Sequence, residues 1–257
     1  MKNKFIISIL LILTALALVS FAVQESVLLR LHPRSDINYI ITYKESDRRQ
    51  FQSFDKSSYF ESKVSFAVKG YGPKSSTEIQ AQEESIKVIS SDVNLGEGAG
   101  CYNSEHTEFN DPNFIQLYDP YIKKPVFVSY DEMGCNMAPD SILNKENMFL
   151  GNVFSMVFVP LPKERISVGS RWSFERGGID WTYTVTAITK KDIEVDFVGS
   201  WDNDYTTGRS EGKATIHPTM GFVTKSSSNA MAVYNASKGP ENTTVILRDY
   251  YLSVKEK

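Results

Sequence analysis

Three histidines, two cysteines and a scatter of carboxylates are the residues of this chain that could do chemistry. His32, His106 and His217 stand in unrelated surroundings, and no HxH, HExxH or CxxH spacing would let two of them hold one metal ion. No G-x-S-x-G elbow supplies a serine nucleophile for a histidine to activate. His32 and His217 each precede proline, a position where a histidine ends a strand at the surface. Glu83-Glu84 and the Glu105/Glu108 pair read as solvated charges, and a glycosidase pair cannot be recognised from spacing alone. The closest approach to a cation loop is Asp202-Asn203-Asp204-Tyr205-Thr206-Thr207-Gly208. Its glycine is displaced by one place from the calcium-loop requirement, and Lys213 stands where the bidentate acid belongs. A polar hairpin tip accounts for the same residues. These readings point to a protein without catalytic residues, metal or cofactor.

Cys101 and Cys135 are the two cysteines. Their spacing lacks CxxC, and an even number in an oxidising compartment favours one structural disulfide. That compartment is expected from the N-terminus. Lys2 and Lys4 precede an apolar run from Phe5 to Val19, and Ser20-Phe21-Ala22 places small residues where a signal peptidase reads them. Residues 1–22 are therefore expected to be a signal peptide, with an uncleaved anchor over Phe5 to Val23 as the alternative. Losing Lys2 and Lys4 takes the net charge from −3 to −5. A periplasmic or secreted location follows as the expectation. The sequons at Asn235 and Asn242 matter only in a eukaryotic secretory host.

The elements that would position any site are mostly strands. The chain has 257 residues, 41% hydrophobic and 23% charged, enough for one sizeable core and too apolar for disorder. With no excess of positive charge, nucleic acid is not an expected partner. Residues 23–257 are read as a single β-rich domain with a central helical insertion near 110–158. Ile37, Tyr39, Ile41 and Tyr43 alternate with Asn38, Ile40 and Thr42, a strand period. Val27, Leu29 and Leu31 predict an earlier strand, and Val64, Phe66 and Val68 a later one. From Thr77 the alternation runs to Glu83-Glu84-Ser85, breaks phase and resumes at Ile86 and Val88, which predicts two strand halves across a bulge. Gly96 to Gly100 reads as loop. Asp111-Pro112 predicts an N-cap and first helical residue for a short helix. Asp140 or Ser141 opens a longer one, running to Phe158 with apolar residues at helical spacing. Pro125 to Tyr130 and Arg171 to Arg176 are further strands. Gly177-Gly178 then predicts a hairpin into Trp181, Tyr183 and Val185. Strands at Ile193–Phe197, Lys213–Ile216, Phe222–Ser227 and Thr243–Val254 complete a mainly β chain of antiparallel neighbours.

Phe158-Val159-Pro160-Leu161-Pro162 together with Ile166-Ser167-Val168-Gly169-Ser170-Arg171-Trp172 resembles the P…VG[DS]xW segment of an uncharacterised exported envelope-protein family of Gram-negative bacteria. A tyrosine-rich strand (Trp181 to Val185) and a later glycine-bounded hairpin (Gly212 to Gly221) extend the resemblance over 158–230, and it is loose over 27–157. His217-Pro218 departs from it, standing where an acidic residue is usual. The resemblance implies an outline similar to the periplasmic lipoprotein-carrier fold. That is a curved antiparallel sheet or open half-barrel, with one long and one short helix covering the concave face. It implies no activity.

Such a sheet cannot always fill its own concavity. The aromatics expected to line a space beneath the long helix are Tyr39, Phe66, Phe149, Phe154, Trp172, Trp181 and Phe197, core packing being the alternative for each. The function expected is non-enzymatic binding or carriage of a lipid or other apolar or amphiphilic ligand by a monomer in the cell envelope. A structural or protein-interaction component of the envelope, with an envelope protein as partner, is the alternative.

Overall fold

Alternation of apolar and polar residues every second position dominates the structure as it does the sequence. The structure is a computed structural model that describes residues 26–50, 55–92, 100–137, 150–234 and 244–257. The signal-peptide expectation (1–22), most of the glycine-rich loop, the start of the long helix with Phe149, and both sequons lie outside the described residues.

Among the described residues, eleven strands form one antiparallel sheet. They are β1 (Asn38–Gln50), β2 (Asp55–Tyr71), β3 (Thr77–Asp92), β4 (Gly100–Asn103), β5 (Pro125–Tyr130), β6 (Arg171–Arg176), β7 (Ile179–Ile188), β8 (Ile193–Asp202), β9 (Thr206–Ile216), β10 (Val223–Tyr234) and β11 (Thr244–Glu256). From β6 to β11 each strand pairs with the next, β11 then pairs with β1, and β1-β2-β3 continue the sheet. β4 and β5 share the free edge of β3, one on each half. The sheet does not close, and it forms the expected half-barrel. Among the described residues two α-helices accompany it: α1 (Pro112–Tyr118) and α2, helical over 150–157. Asp111 caps α1, its Oδ1 accepting from the Asn113 N–H at 2.8 Å, with Pro112 next in the chain.

Short-range signals explain the turns. Gly177 and Gly178 have φ of +63° and +75°, the left-handed pair a two-residue hairpin with matching twist requires. Asn203 Oδ1 accepts from the N–H groups of Tyr205 and Thr206 at the β8–β9 tip, so the calcium-like segment is an Asx turn. His217 Nδ1 faces the Thr219 and Met220 N–H groups at 3.3 and 3.2 Å and shapes the β9–β10 turn. One strand expectation is corrected. Val27 makes only an isolated bridge to Ile166, and Leu29 and Leu31, although buried, belong to no ladder.

The phase break in β3 is real. Lys63 of β2 pairs with Ser85 and Val64 with Glu83, leaving Glu84 as the extra residue of a bulge. The bulge separates two packed regions. On one side lies the main core; on the other, Ile86, Val88, Tyr102 and Tyr118 form a smaller cluster beneath α1. Glu83 is fully buried between them. Ser62 donates to its Oε1, and Oε2 has no hydrogen-bond partner among the described residues. Glu83 is therefore no solvated charge.

The Cys101–Cys135 disulfide expectation is also corrected, since both thiols are free. Cys101 pairs with Ile89 of β3, whereas Cys135 lies beyond Tyr130, the partner of Thr77. From residue 77 to residue 89 is 12 positions, a path of about 40 Å at roughly 3.3 Å per residue. A disulfide needs Cα atoms within about 7 Å.

Two measurements follow. Alkylation of the unreduced protein in denaturant should add two carbamidomethyl groups; none would mean that the cysteines are bridged. Burial raises the Glu83 carboxyl to about 8, Ser62 opposing the shift and Glu84 adding to it. A raised carboxyl stabilises the fold fully below the ordinary carboxylate range, and that contribution is lost as pH rises toward 8. Wild type should therefore lose on the order of 3–5 kcal/mol relative to Glu83→Gln between pH 4.5 and 8, read from urea unfolding at each pH. Parallel pH profiles would refute this.

Candidate functional site

The concave face of the half-barrel is filled at one end and hollow at the other. The filled end is aromatic. Tyr39 stacks on Phe66 at 4.7 Å, and Phe154 and Phe158, at the end of α2, meet the Phe66 ring edge-on at 6.1 and 5.6 Å. Leu150, Val153 and Val157 of the same helix are buried with them. Arg176 of β6 holds the helix end, its guanidinium donating to the carbonyls of Ser155 at 2.8 Å and Phe158 at 3.2 Å. A cation at a helix C-terminus satisfies carbonyls that have no intrahelical donor.

Beyond α2 the inner face changes composition. Inner positions of β9 and β10 are Gly208, Ser210, Gly212 and Ala214, against Ser226, Ser228, Ala230 and Ala232. Small residues here leave space. The rings of β7 and β8 lie flat over glycines of the next strand: Trp181 pairs with Gly199, Phe197 with Gly212 and Trp201 with Gly208. A Cβ on Gly199 would stand 2.6 Å from the Trp181 ring, and one on Gly212 would stand 2.7 Å from Phe197. The glycines are thus seats for the rings, and the rings form one wall.

The resulting cavity measures about 390 Å³, within the range of small-molecule sites. Phe174, Trp181, Tyr183, Phe197 and Trp201 form its aromatic side, and Gly151, Asn152, Ser155 and Met156 of α2 lie at its rim. Tyr43, Glu45, Arg248 and Tyr250 form the opposite, polar corner. There the Tyr43 hydroxyl donates to Glu45 Oε2 at 2.6 Å. Arg248 pairs through Nε with Glu45 Oε1 at 3.2 Å and through Nη2 with Asp47 Oδ2 at 3.0 Å. Its Nη1 donates to the Tyr250 hydroxyl at 3.2 Å. Asp47, 5% exposed, also receives Arg49 at 3.3 Å. Burial opposes the Arg248 charge, but Tyr250, Glu45 and Asp47 outweigh it and hold the group above its ordinary pKa. Burial, reinforced by Glu45, pushes the Tyr43 phenol well up, so it stays protonated.

Of the seven aromatics expected to line the space, Trp181 and Phe197 do so. Tyr39, Phe66 and Phe154 are core residues, exposed by 1% or less. Trp172 is half-buried, donates its indole N–H to Pro160 O at 3.0 Å and stacks on Tyr183 outside the cavity. The structure brings no histidines together: His32 stacks on Tyr71, His106 is exposed, and His217 serves its turn. The residues missed from sequence are those of the polar corner. A signal existed, since Glu45 and Asp47 fall in the apolar phase of β1 with Tyr39 and Ile41, and Arg248 falls in phase with Leu252.

Gly199→Ala and Gly212→Ala should separate ring seating from backbone packing. Gly199→Ala should lift Trp181 and shift tryptophan emission at a cost of about 1 kcal/mol. Gly212→Ala, which also meets the Ser227 carbonyl, should cost about 2–3 kcal/mol in urea unfolding. Unchanged emission in the first variant would show that the ring is not seated there.

No family model and no curated protein matches the chain. Among solved structures, an S-type phycobiliprotein lyase, CPES, from Guillardia theta is similar over 84% of this chain and 88% of its own, at 5% identity and a TM-score of 0.25. DynF from the dynemicin biosynthesis pathway of Micromonospora chersina is similar over 90% and 86%, at 7% identity and a TM-score of 0.23. At these scores neither likeness carries an argument about function.

Proposed function

We propose that this protein binds a small amphiphilic molecule in the cavity between the curved sheet and α2, holding it without making or breaking bonds. The observation that carries the reading is a hollow of about 390 Å³ with an aromatic wall facing a hydrogen-bonded polar corner. An apolar body against the rings and a polar group toward Arg248 and Tyr250 match that division. Burial of apolar ligand surface contributes about 25 cal/mol per Å². A ligand hiding roughly 250 Å² would therefore bind with a dissociation constant on the order of 10–100 µM. Action as a monomer outside the cytoplasm belongs to the same proposal, and the residue pattern of 1–22 supports the location alone.

Catalysis has less to recommend it. Glu45, the carboxylate at the cavity, accepts from Tyr43 and is ion-paired with Arg248, and no histidine among the described residues lines the space beside it.

The test fills the hollow. Ala230 faces the cavity from β10, so Ala230→Phe should weaken binding of an uncharged naphthalene dye at least tenfold, followed through emission of Trp181 and Trp201. Its melting temperature should stay within a few degrees of wild type. Equal binding by both proteins, or none by wild type, would overturn the proposal. In the latter case, cross-linking that trapped one fixed protein partner would favour an interaction component.

A further inference from the structure

Resting on the binding reading above, we infer that the cavity selects an uncharged ligand carrying a hydrogen-bond acceptor (a ketone, ester or amide oxygen), and that the Tyr250 hydroxyl is the group that takes it. The charges of the polar corner cancel, and Arg176, the other charged residue of the lining, is occupied by the carbonyls of Ser155 and Phe158. Glu45 and Asp47 face Arg248 and Arg49, each carboxylate within 3.3 Å of a guanidinium nitrogen. An anionic ligand would compete with two carboxylates already on Arg248, and a cationic one would compete with that arginine for Glu45. Burying either charge without a partner is costly.

The hydrogen-bond inventory then decides between acceptor and donor. Glu45 Oε2 accepts from Tyr43, and Oε1 is held in an ion pair 3.2 Å from Arg248 Nε, so the corner offers a ligand donor that one paired carboxylate. Open donors remain. Tyr250 accepts from Arg248 Nη1, which leaves its own O–H to point elsewhere, and no acceptor among the described residues takes it. Trp181 and Trp201, on the opposite wall, have indole N–H groups that also meet no acceptor among the described residues. Ser210, Ser226 and Ser228 can act either way and do not alter the balance. Burial raises the Tyr250 pKa while Arg248 opposes the shift, so the phenol remains a donor at neutral pH. The arginine behind it withdraws electron density from the oxygen and strengthens the bond it gives.

Three probes sharing one ring system test this: an acylated dimethylaminonaphthalene ketone, its deacylated parent and the matching naphthoate. Wild type should bind the ketone about tenfold more tightly than the parent, and more tightly than the naphthoate. Tyr250→Phe should abolish the ketone's advantage and the red shift its hydrogen-bonded carbonyl shows, leaving the parent's affinity within twofold. Because the ratio is taken within each protein, partial unfolding of the variant lowers both affinities and leaves the ratio readable. A naphthoate bound as tightly as the ketone, or a ratio unaffected by Tyr250→Phe, would overturn the inference and leave the binding proposal standing. Failure of all three probes on wild type would overturn both.

Discussion

Twelve residue pairs between β1 and β11, from Tyr39–Glu256 to Gln50–Val245, join the beginning of the described sheet to its end. Without this pairing the chain would hold two separate antiparallel ribbons, β1 to β5 and β6 to β11. With it there is a single curved surface, and register along the seam decides what the concave side carries. Tyr250 stands opposite Glu45 and Arg248 opposite Asp47. A slip of one residue would turn every inner side chain outward. The buried Arg248–Asp47 contact therefore depends on the register and also reports it.

The hollow has a second origin, in volume. α2 delivers Phe154 and Phe158 to one end of the concave face, where they meet Phe66 and Phe222, on which Tyr39 packs in turn. At the other end, β9 and β10 present glycine, serine and alanine beneath rings carried by β7 and β8. Interiors normally pack with few voids larger than a water molecule. A sheet this large keeps one because curvature sets the distance between its walls, and short side chains on the floor do not span it. Flat seating of Trp181, Phe197 and Trp201 on glycines keeps the rings at the wall instead of in the space.

Glu83 shows a different use of buried polarity. It sits at the bulge where the main core ends and the smaller cluster under α1 begins, with one carboxyl oxygen unpartnered among the described residues. Its backbone carbonyl accepts from the Lys123 N–H at 2.7 Å, tying the connection after α1 to the bulge. The corner at Arg248 pairs every charge, whereas the bulge buries one carboxyl alone, and only the first borders the cavity.

Local structure was legible in the sequence wherever neighbours along the chain decide it. The strand alternation, the left-handed Gly177-Gly178 hairpin, the Asp111-Pro112 helix start and the phase break at Glu83-Glu84 are all set by sterics and hydrogen bonds within a few residues. The presence of Trp181 and Phe197 on an inner face followed from the same period. What lay beyond reach was pairing across the chain. Asp47 and Arg248 are 201 positions apart, and nothing local says that their strands are adjacent. The free cysteines have the same explanation, since β4 and β5 occupy different halves of β3 and an even count carries no geometry. A cavity is likewise a difference between the space a curved sheet encloses and the volume its side chains supply. Residue alternation determined the class of fold, and composition the supply of aromatic rings. Tertiary structure alone decided which rings pack, which line the hollow and which charges meet, because each is settled between strands distant in sequence.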